Sequence, residues 1–146
     1  MIQHLKYAHQ LALADWFGRQ LADACRHTGA ELVIPLPLHP RRLAERGFNQ
    51  SVEIARSLAE TLGITFDAHC CARLRDTPTQ AGLTLRQRRR NVLNAFACRR
   101  DMSGRHILLV DDVVTTGSTV GECARTLRLH GAATISIATV ARTLNR

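Results

Sequence analysis

Ile107-Leu-Leu-Val-Asp-Asp-Val-Val-Thr-Thr-Gly-Ser-Thr119 is the stretch on which the reading of this chain turns. With His106, its first four residues make an apolar run suited to a strand buried on both faces, as strands of parallel sheets are. Two carboxylates stand at the end of that strand, and a small hydroxyl-rich loop follows, opening a helix. Ionised carboxylates are strong acceptors, so Asp111 and Asp112 suit the adjacent hydroxyls of a ribose. The loop Thr115, Thr116, Gly117, Ser118, Thr119 offers backbone N–H groups, helix-dipole charge and threonine hydroxyls to a phosphate. Gly117 lets the backbone approach that anion. Strand, acids and loop together outline a sugar-phosphate site.

Downstream of the loop, Val120, Cys123, Ala124 and Leu127 fall on one face of a helix that ends at Gly131, and the β-branched run Ala133 to Val140 follows as a strand. Upstream, residues 8 to 28 form an amphipathic helix with Ala14, Phe17, Leu21 and Ala24 on one face, and core packing is the expected use of Trp16 and Phe17. Glu31 to Leu38 reads as a short buried strand that leaves the sheet near Pro35, because proline cannot donate to a central ladder. A basic loop from His39 to Gly47 precedes a helix carrying Val52, Ala55, Leu58, Ala59 and Leu62, stopped by Gly63. Ile64 to Leu74 reads as a strand, Arg75 to Gly82 as a turn-rich loop, and Leu85 to Leu93 as a short arginine-rich helix. Strands alternating with helices predict an α/β domain with a mainly parallel central sheet flanked by helices, binding its ligand outside the carboxyl ends of the strands. At 146 residues, the chain is expected to be one domain, residues 1–146.

No apolar stretch approaches the roughly 20 residues that span a bilayer, so no membrane insertion is expected. The start, Met-Ile-Gln-His-Leu-Lys, lacks the apolar core of a signal peptide, which points to the cytoplasm. The five cysteines form no C-x-x-C pair and are odd in number, which fits reduced thiols; Cys70 and Cys71 are adjacent, and at least one is expected to be buried. The net charge of +8 comes from nineteen arginines and one lysine against twelve acids, and nine of the arginines fall between Arg73 and Arg105 against only Asp76 and Asp101. A local anion-binding surface follows. Two other phosphate-handling designs fail on the same composition. A P-loop needs a lysine after its glycines, and a receiver-type sheet needs one at a later strand end; Lys6 is the only lysine.

All thirteen positions of the 107–119 segment resemble the motif with which type I phosphoribosyltransferases bind 5-phosphoribosyl-1-pyrophosphate (PRPP). A second set narrows the likeness: Ile34-Pro-Leu-Pro-Leu-His-Pro-Arg-Arg42, Arg46-Gly-Phe-Asn-Gln50, Gln80-Ala-Gly-Leu83, and Arg86-x-x-Arg-Arg-x-Asn91, ending at Phe96. Taken together, and over Leu5 to Leu144, the chain resembles the competence protein F (ComF/GntX) family. The resemblance implies a type I phosphoribosyltransferase fold and a connection to DNA uptake, natural transformation or use of external DNA. Many members of that family carry an N-terminal cysteine-rich zinc module whose C-x-x-C pairs do not occur here, so no zinc is expected in this chain.

Carried onto these positions, the resemblance implies that Asp111 and Asp112 bind the ribose and act catalytically, with either or both contacting Mg²⁺ that arrives with PRPP. Thr115 to Thr119 would hold the 5′-phosphate. Leu38, His39, Arg41 and Arg42 would lie at the pyrophosphate, and residues 73–96 would form a mobile loop or hood bringing Arg86, Arg89 and Arg90 to the same anion, Arg86 in a catalytic role. Enzymes of this fold acting on 6-oxopurines have an aspartate where Thr115 stands, which predicts weak or absent hypoxanthine-guanine transfer. Two non-catalytic alternatives stay open. The +7 segment would hold single-stranded DNA in a salt-sensitive way, although Phe96 is its only aromatic. The N-terminal helix would dock a competence helicase or recombination mediator. A homodimer is a further expectation from the fold.

Overall fold

The computed structural model describes residues 2–77 and 82–143. Its longest apolar runs lie at the centre of a parallel sheet, where both faces are covered. Strand β1 (Leu32–Pro35) follows helix α1 (Ile2–Cys25) and a short 3-10 turn (Arg26–Thr28); α2 (Pro40–Arg46), α3 (Gln50–Leu62) and the two-residue β2 (Thr65–Phe66) come next. Then come β3 (Cys71–Arg73), α4 (Leu85–Val92), β4 (Phe96–Cys98), β5 (His106–Val114), α5 (Ser118–Leu129) and β6 (Thr134–Arg142). The main sheet has the order β2-β1-β5-β6 with every pairing parallel, while β3 and β4 pair antiparallel in a separate ribbon. This is the type I phosphoribosyltransferase architecture that the resemblance implies.

Successive strand residues point to opposite faces, and the core divides accordingly. Val33, Leu108, Val110 and Ala138 pack under α1 and α3 against Ala14, Ile54, Ala55 and Leu58. Leu32, Ile34, Ile107 and Leu109 pack on the other side against Val120, Cys123, Ala124 and Leu127 of α5, where Cys71 and Phe96 of the ribbon join them. Full burial of a side chain such as Leu108 or Leu109 contributes roughly 1.5–3 kcal/mol, so this two-sided sandwich fixes where β5 ends. Helices α1 and α3 meet at Gly18, where a Cβ would lie 2.6 Å from Ser57 Cβ and 2.7 Å from the Ile54 carbonyl oxygen. The Ser57 hydroxyl closes the contact by donating to the Asp15 carbonyl at 2.9 Å and to Asp15 Oδ1 at 2.8 Å.

Several local expectations change. The basic segment after β1 is a helix and not a loop: His39 caps it, accepting from Arg41 N–H at 3.2 Å, and Pro40 begins it with a φ already suited to a helix. Residues 64–74 do not form one strand, because Asp67 accepts from the His69 and Cys70 amides at 2.9 and 3.0 Å and turns the chain out of the main sheet into the ribbon. On α1 the buried positions among residues 5–25 are Ala14, Gly18, Ala22 and Cys25, whereas Ala24 is exposed, and Trp16 is 54% exposed instead of packed in the core. Strand β5 runs on to Val114, so both acids lie within it. Of the quoted family strings, Gln80 and Ala81 lie outside the described residues, as do Pro78 and Thr79 of the expected loop and Leu144 at the end of the resemblance.

Candidate functional site

The last bond between β1 and β5 runs from Leu36 N–H to the Val110 carbonyl at 2.7 Å. Beyond it β1 departs into α2, while β5 continues beside β6 alone, Asp111 opposite Thr139 and Val113 opposite Ala141. This divergence leaves a notch at the carboxyl end of the sheet, the place where open α/β sheets bind ligands. Asp111 sits in it only 8% exposed, and Asp112 beside it is half-buried. Burial, then the Asp112 carboxyl in hydrogen-bonding contact with it, pushes Asp111 up to about 7, against the opposing pull of the Asp112 backbone and of the Ser51 hydroxyl. Asp111 therefore keeps its proton to unusually high pH unless a partner for its charge arrives.

After β5 the chain turns through Gly117, whose φ of +81° suits a residue without a side chain, into the first turn of α5, which has no side-chain cap. Ser118 N–H donates to Thr116 Oγ1 at 3.4 Å, a long bond, and the dipole of α5 adds positive charge at this turn, which suits an anion. Thr116 Oγ1 and Ser118 Oγ lie 3.0 Å apart at this turn. Thr115 and Thr116 form one wall of a cavity of about 480 Å³ whose other walls are Leu83, Leu85, Arg88, Arg142 and Thr143. Thr119 is half-buried in the same first turn.

The expected pyrophosphate residues are only partly brought together. Leu38 and His39 line a second cavity of about 600 Å³, which reaches Phe48, Arg73 and Leu74. Arg42 reaches across to the hood, pairing with Asp76 at 3.2 Å and donating to the Thr77 carbonyl at 3.1 Å, while Arg41 is exposed. Arg86, Arg89 and Arg90 are exposed on α4 and line neither cavity. The Arg46-Gly-Phe-Asn-Gln50 string acquires a physical account. Asn49 caps α3 by accepting from Ser51 N–H at 3.0 Å and donates its amide to the Leu36 carbonyl at 3.1 Å, pinning the helix to the end of β1. Phe48 meets Tyr7 of α1 edge to face at 5.4 Å.

A strand end, paired acids and a hydroxyl loop at an open helix terminus agree with a comparison against known proteins. The chain belongs to the phosphoribosyl transferase domain family. That family matches residues 44–146. The chain is also 41% identical over 151 residues to DNA utilization protein YhgH of Escherichia coli O157:H7, covering 99% of this chain and 66% of that protein. It is 35% identical to competence protein F of Haemophilus influenzae, covering 97% of this chain and again 66% of the relative. It thus spans about two thirds of the length of these curated relatives, and the competence protein F resemblance holds along nearly all of it. Purine phosphoribosyltransferase from Pyrococcus horikoshii shares the fold with a TM-score of 0.57 at 19% identity, over 91% of this chain and 73% of that one. The allosteric regulatory enzyme of purine biosynthesis does so with a TM-score of 0.60 at 20% identity, over 86% and 25%.

Within this family framework four residues enter that the sequence did not single out. Ser51 touches Asp111, Arg73 lies within electrostatic reach of both Asp111 and Arg42, and Arg88 and Arg142 line one cavity with Thr115 and Thr116. Asn49, the cap residue immediately before a helix of clear period, is the signal that could have pointed to Ser51; nothing local separates Arg88 from its neighbours. Among the described residues no group of three or more His, Cys, Asp or Glu side chains could hold a metal by itself. Two adjacent carboxylates do fit a Mg²⁺ that brings most of its oxygen ligands with a polyphosphate, the usual mode of that ion. Cys70 and Cys71 are both buried, and Cys71 Sγ lies 3.5 Å from Cys123 Sγ. Burial pushes the Cys70 thiol up to about 12, the behaviour of a packing residue and not of a nucleophile. No helix among the described residues is long and apolar enough to cross a membrane.

Proposed function

We propose that this chain binds PRPP with Mg²⁺ and acts as a cytoplasmic phosphoribosyltransferase domain serving the use of external DNA. The observation that carries it is the buried Asp111 beside Asp112 in the part of β5 that runs past β1, followed by a helix terminus without a side-chain cap that opens at Gly117. Asp111 and Asp112 accept from the ribose hydroxyls and Thr115 to Thr119 anchor the 5′-phosphate. Leu38, His39, Arg41 and Arg42 meet the pyrophosphate from one side; Arg86, Arg89 and Arg90 approach from the hood. A nucleophile then attacks ribose C1 as pyrophosphate leaves, and the arginine forks neutralise the departing anion. Arg42 exchanges Asp76 for pyrophosphate in this reading, which couples ligand arrival to release of the hood. Mg²⁺, held by Asp111 or Asp112 directly or through water, supplies positive charge to the phosphate oxygens.

Calorimetric titration of PRPP with and without Mg²⁺ tests this reading. Wild type should bind in a Mg²⁺-dependent way, and the Asp111→Asn/Asp112→Asn double variant should lose affinity by roughly a hundredfold or more, the loss expected from removing two charge-assisted acceptors. A folded wild type that ignores PRPP overturns it. Hypoxanthine and guanine should be turned over poorly or not at all, because Thr115 stands where an acid would serve the purine; robust release of pyrophosphate with either base would contradict this.

The exposed arginines of α4 favour a second reading, in which single-stranded DNA is held without chemistry. Oligonucleotide affinity should then fall steeply between low and moderate salt. The outer face of α1, with Leu5 70% and Trp16 54% exposed, is the surface on which a helicase, a recombination mediator or a second copy would dock in an adapter role.

A further inference from the structure

Helix α4 carries four arginines, and its geometry divides them. Arg86, Arg89 and Arg90 stand at spacings of three and four residues and share one exposed face. Arg88, two residues from Arg86, points away from that face into the 480 Å³ cavity walled by Thr115 and Thr116. Its Nε is buried and has no hydrogen-bond partner. A buried guanidinium donor left unsatisfied is costly, and protein structures seldom keep one without a partner that arrives later. Arg142, the last residue of β6, lines the same cavity, so among the described residues the lining holds two guanidinium groups and no acid. Thr115 and Thr116 in the same lining lead into the N-terminus of α5, with four small hydroxyl side chains after Val114 interrupted only by Gly117.

The helix is also held in this orientation. The Thr84 hydroxyl accepts from Gln87 N–H at 3.2 Å, while the Gln87 side chain accepts from Thr84 N–H at 2.8 Å, closing a reciprocal cap at its start. At its exit Glu122 accepts from Asn94 N–H at 3.0 Å and pairs with Arg125 at 2.6 Å, while Arg125 donates to Asn94 Oδ1 at 3.0 Å. Val92, 1% exposed, completes the docking. Arg88 is therefore presented to the loop by a braced element.

We propose that Arg88 and Arg142 grip the 5′-phosphate held by Thr115 to Thr119, so that α4 reads the monoester end of the sugar and selects 5-phosphorylated pentoses. The inference rests on the PRPP reading above and departs from it in one respect: the hood helix closes on the phosphate that stays with the sugar, through a residue distinct from those aimed at pyrophosphate. Leu83 and Leu85 line the same space beside the pair.

Titrations with ribose 5-phosphate and with Mg²⁺-pyrophosphate as separate probes test it, after PRPP itself has been titrated into wild type. Arg88→Ala should weaken ribose 5-phosphate by roughly tenfold or more and leave pyrophosphate unchanged. Arg142→Ala should act in the same direction, and Arg88→Lys, which keeps the charge and loses the planar fork, should fall between wild type and alanine. Arg128→Ala, an exposed charge in the last turn of α5, should move neither probe. Melting of each variant without ligand separates a lost contact from a lost fold. Wild type that binds PRPP, together with an Arg88→Ala variant that retains ribose 5-phosphate affinity or loses pyrophosphate instead, overturns the inference and spares the PRPP reading. Wild type that binds neither PRPP nor ribose 5-phosphate overturns both.

Discussion

Asp111 and Glu122 are equally buried, each 8% exposed, and stand eleven residues apart, yet their surroundings treat their charge in opposite ways. At the end of β5, burial and a neighbouring carboxyl push Asp111 up to about 7. On α5, the Arg125 guanidinium and the Asn94 amide hold Glu122 below the usual carboxylate range. Both carboxylate oxygens of Glu122 accept from the protein itself, and the residue serves to bolt the exit of α4 to α5. Asp111 is left short of positive partners, a condition that destabilises the empty fold and suits a group awaiting a ligand. The contrast separates an acid used for architecture from one kept for binding.

The largest break in this comparison should come from Glu122→Ala, which strands the Asn94 amide and the Arg125 guanidinium. A loss of about 3 kcal/mol, discounted for the half-exposed arginine, should lower the melting temperature by roughly 5–10 °C. The depressed pKa gives Glu122 a stabilising role that is present above its unfolded value near 4.3 and lost as pH falls through the folded value, so wild type and variant should converge in acid. A gap that persists unchanged at pH 3 would show that the charge is irrelevant.

Asp111→Asn should act the other way. A folded pKa of about 7 lies above the unfolded value of about 3.9, so the acid's contribution is fully present below about pH 4 and is lost as pH rises through 7. The variant should therefore be more stable than wild type at pH 8, on the order of 2 kcal/mol in urea titrations, with the difference shrinking toward pH 4. Equal stability at both pH values would remove the distinction drawn between the two acids. The smallest effect should come from Thr84→Ala, which opens the cap of α4 at a cost of about 1 kcal/mol. Hydrogen exchange should show faster opening of α4 amides with those of β5 unaffected; acceleration spread over the whole sheet would mean that α4 is not a separable unit.

The 107–119 segment was legible because its parts are neighbours in the chain. A buried strand, its acids and the helix terminus that comes after them need no distant contact to be read, and β5, α5 and β6 form where periodicity puts them, β5 running four residues further to take in the acids. Segments whose structure depends on a local polar bond were read less well. His39 turned an expected loop into α2, and Asp67 cut an expected strand in two, because a single side-chain acceptor redirects the backbone without altering the hydrophobic pattern. Trp16 was misread for a different reason: α1 is long enough to hold its contact with α3 through Ala14, Gly18 and Ala22, small residues that let the helices approach and leave the large ring outside.

By itself, then, the sequence determined the strand-loop-helix that builds the candidate site, the family to which the chain belongs, and the basic character of residues 73–105. The tertiary structure decided which arginine of α4 faces that site, since rotation of a helix about its axis is set by what it docks against, here the Glu122 and Asn94 contact on α5 and the burial of Val92. It decided equally that Arg142 and Ser51 reach the site, and that Arg42 is engaged with Asp76, because side chains far apart in the chain become neighbours only when β1 leaves the sheet at Leu36 and β5 runs on without it. Periodicity reports which face of an element is apolar; which polar group on the remaining face meets a partner depends on packing against residues the local sequence does not contain.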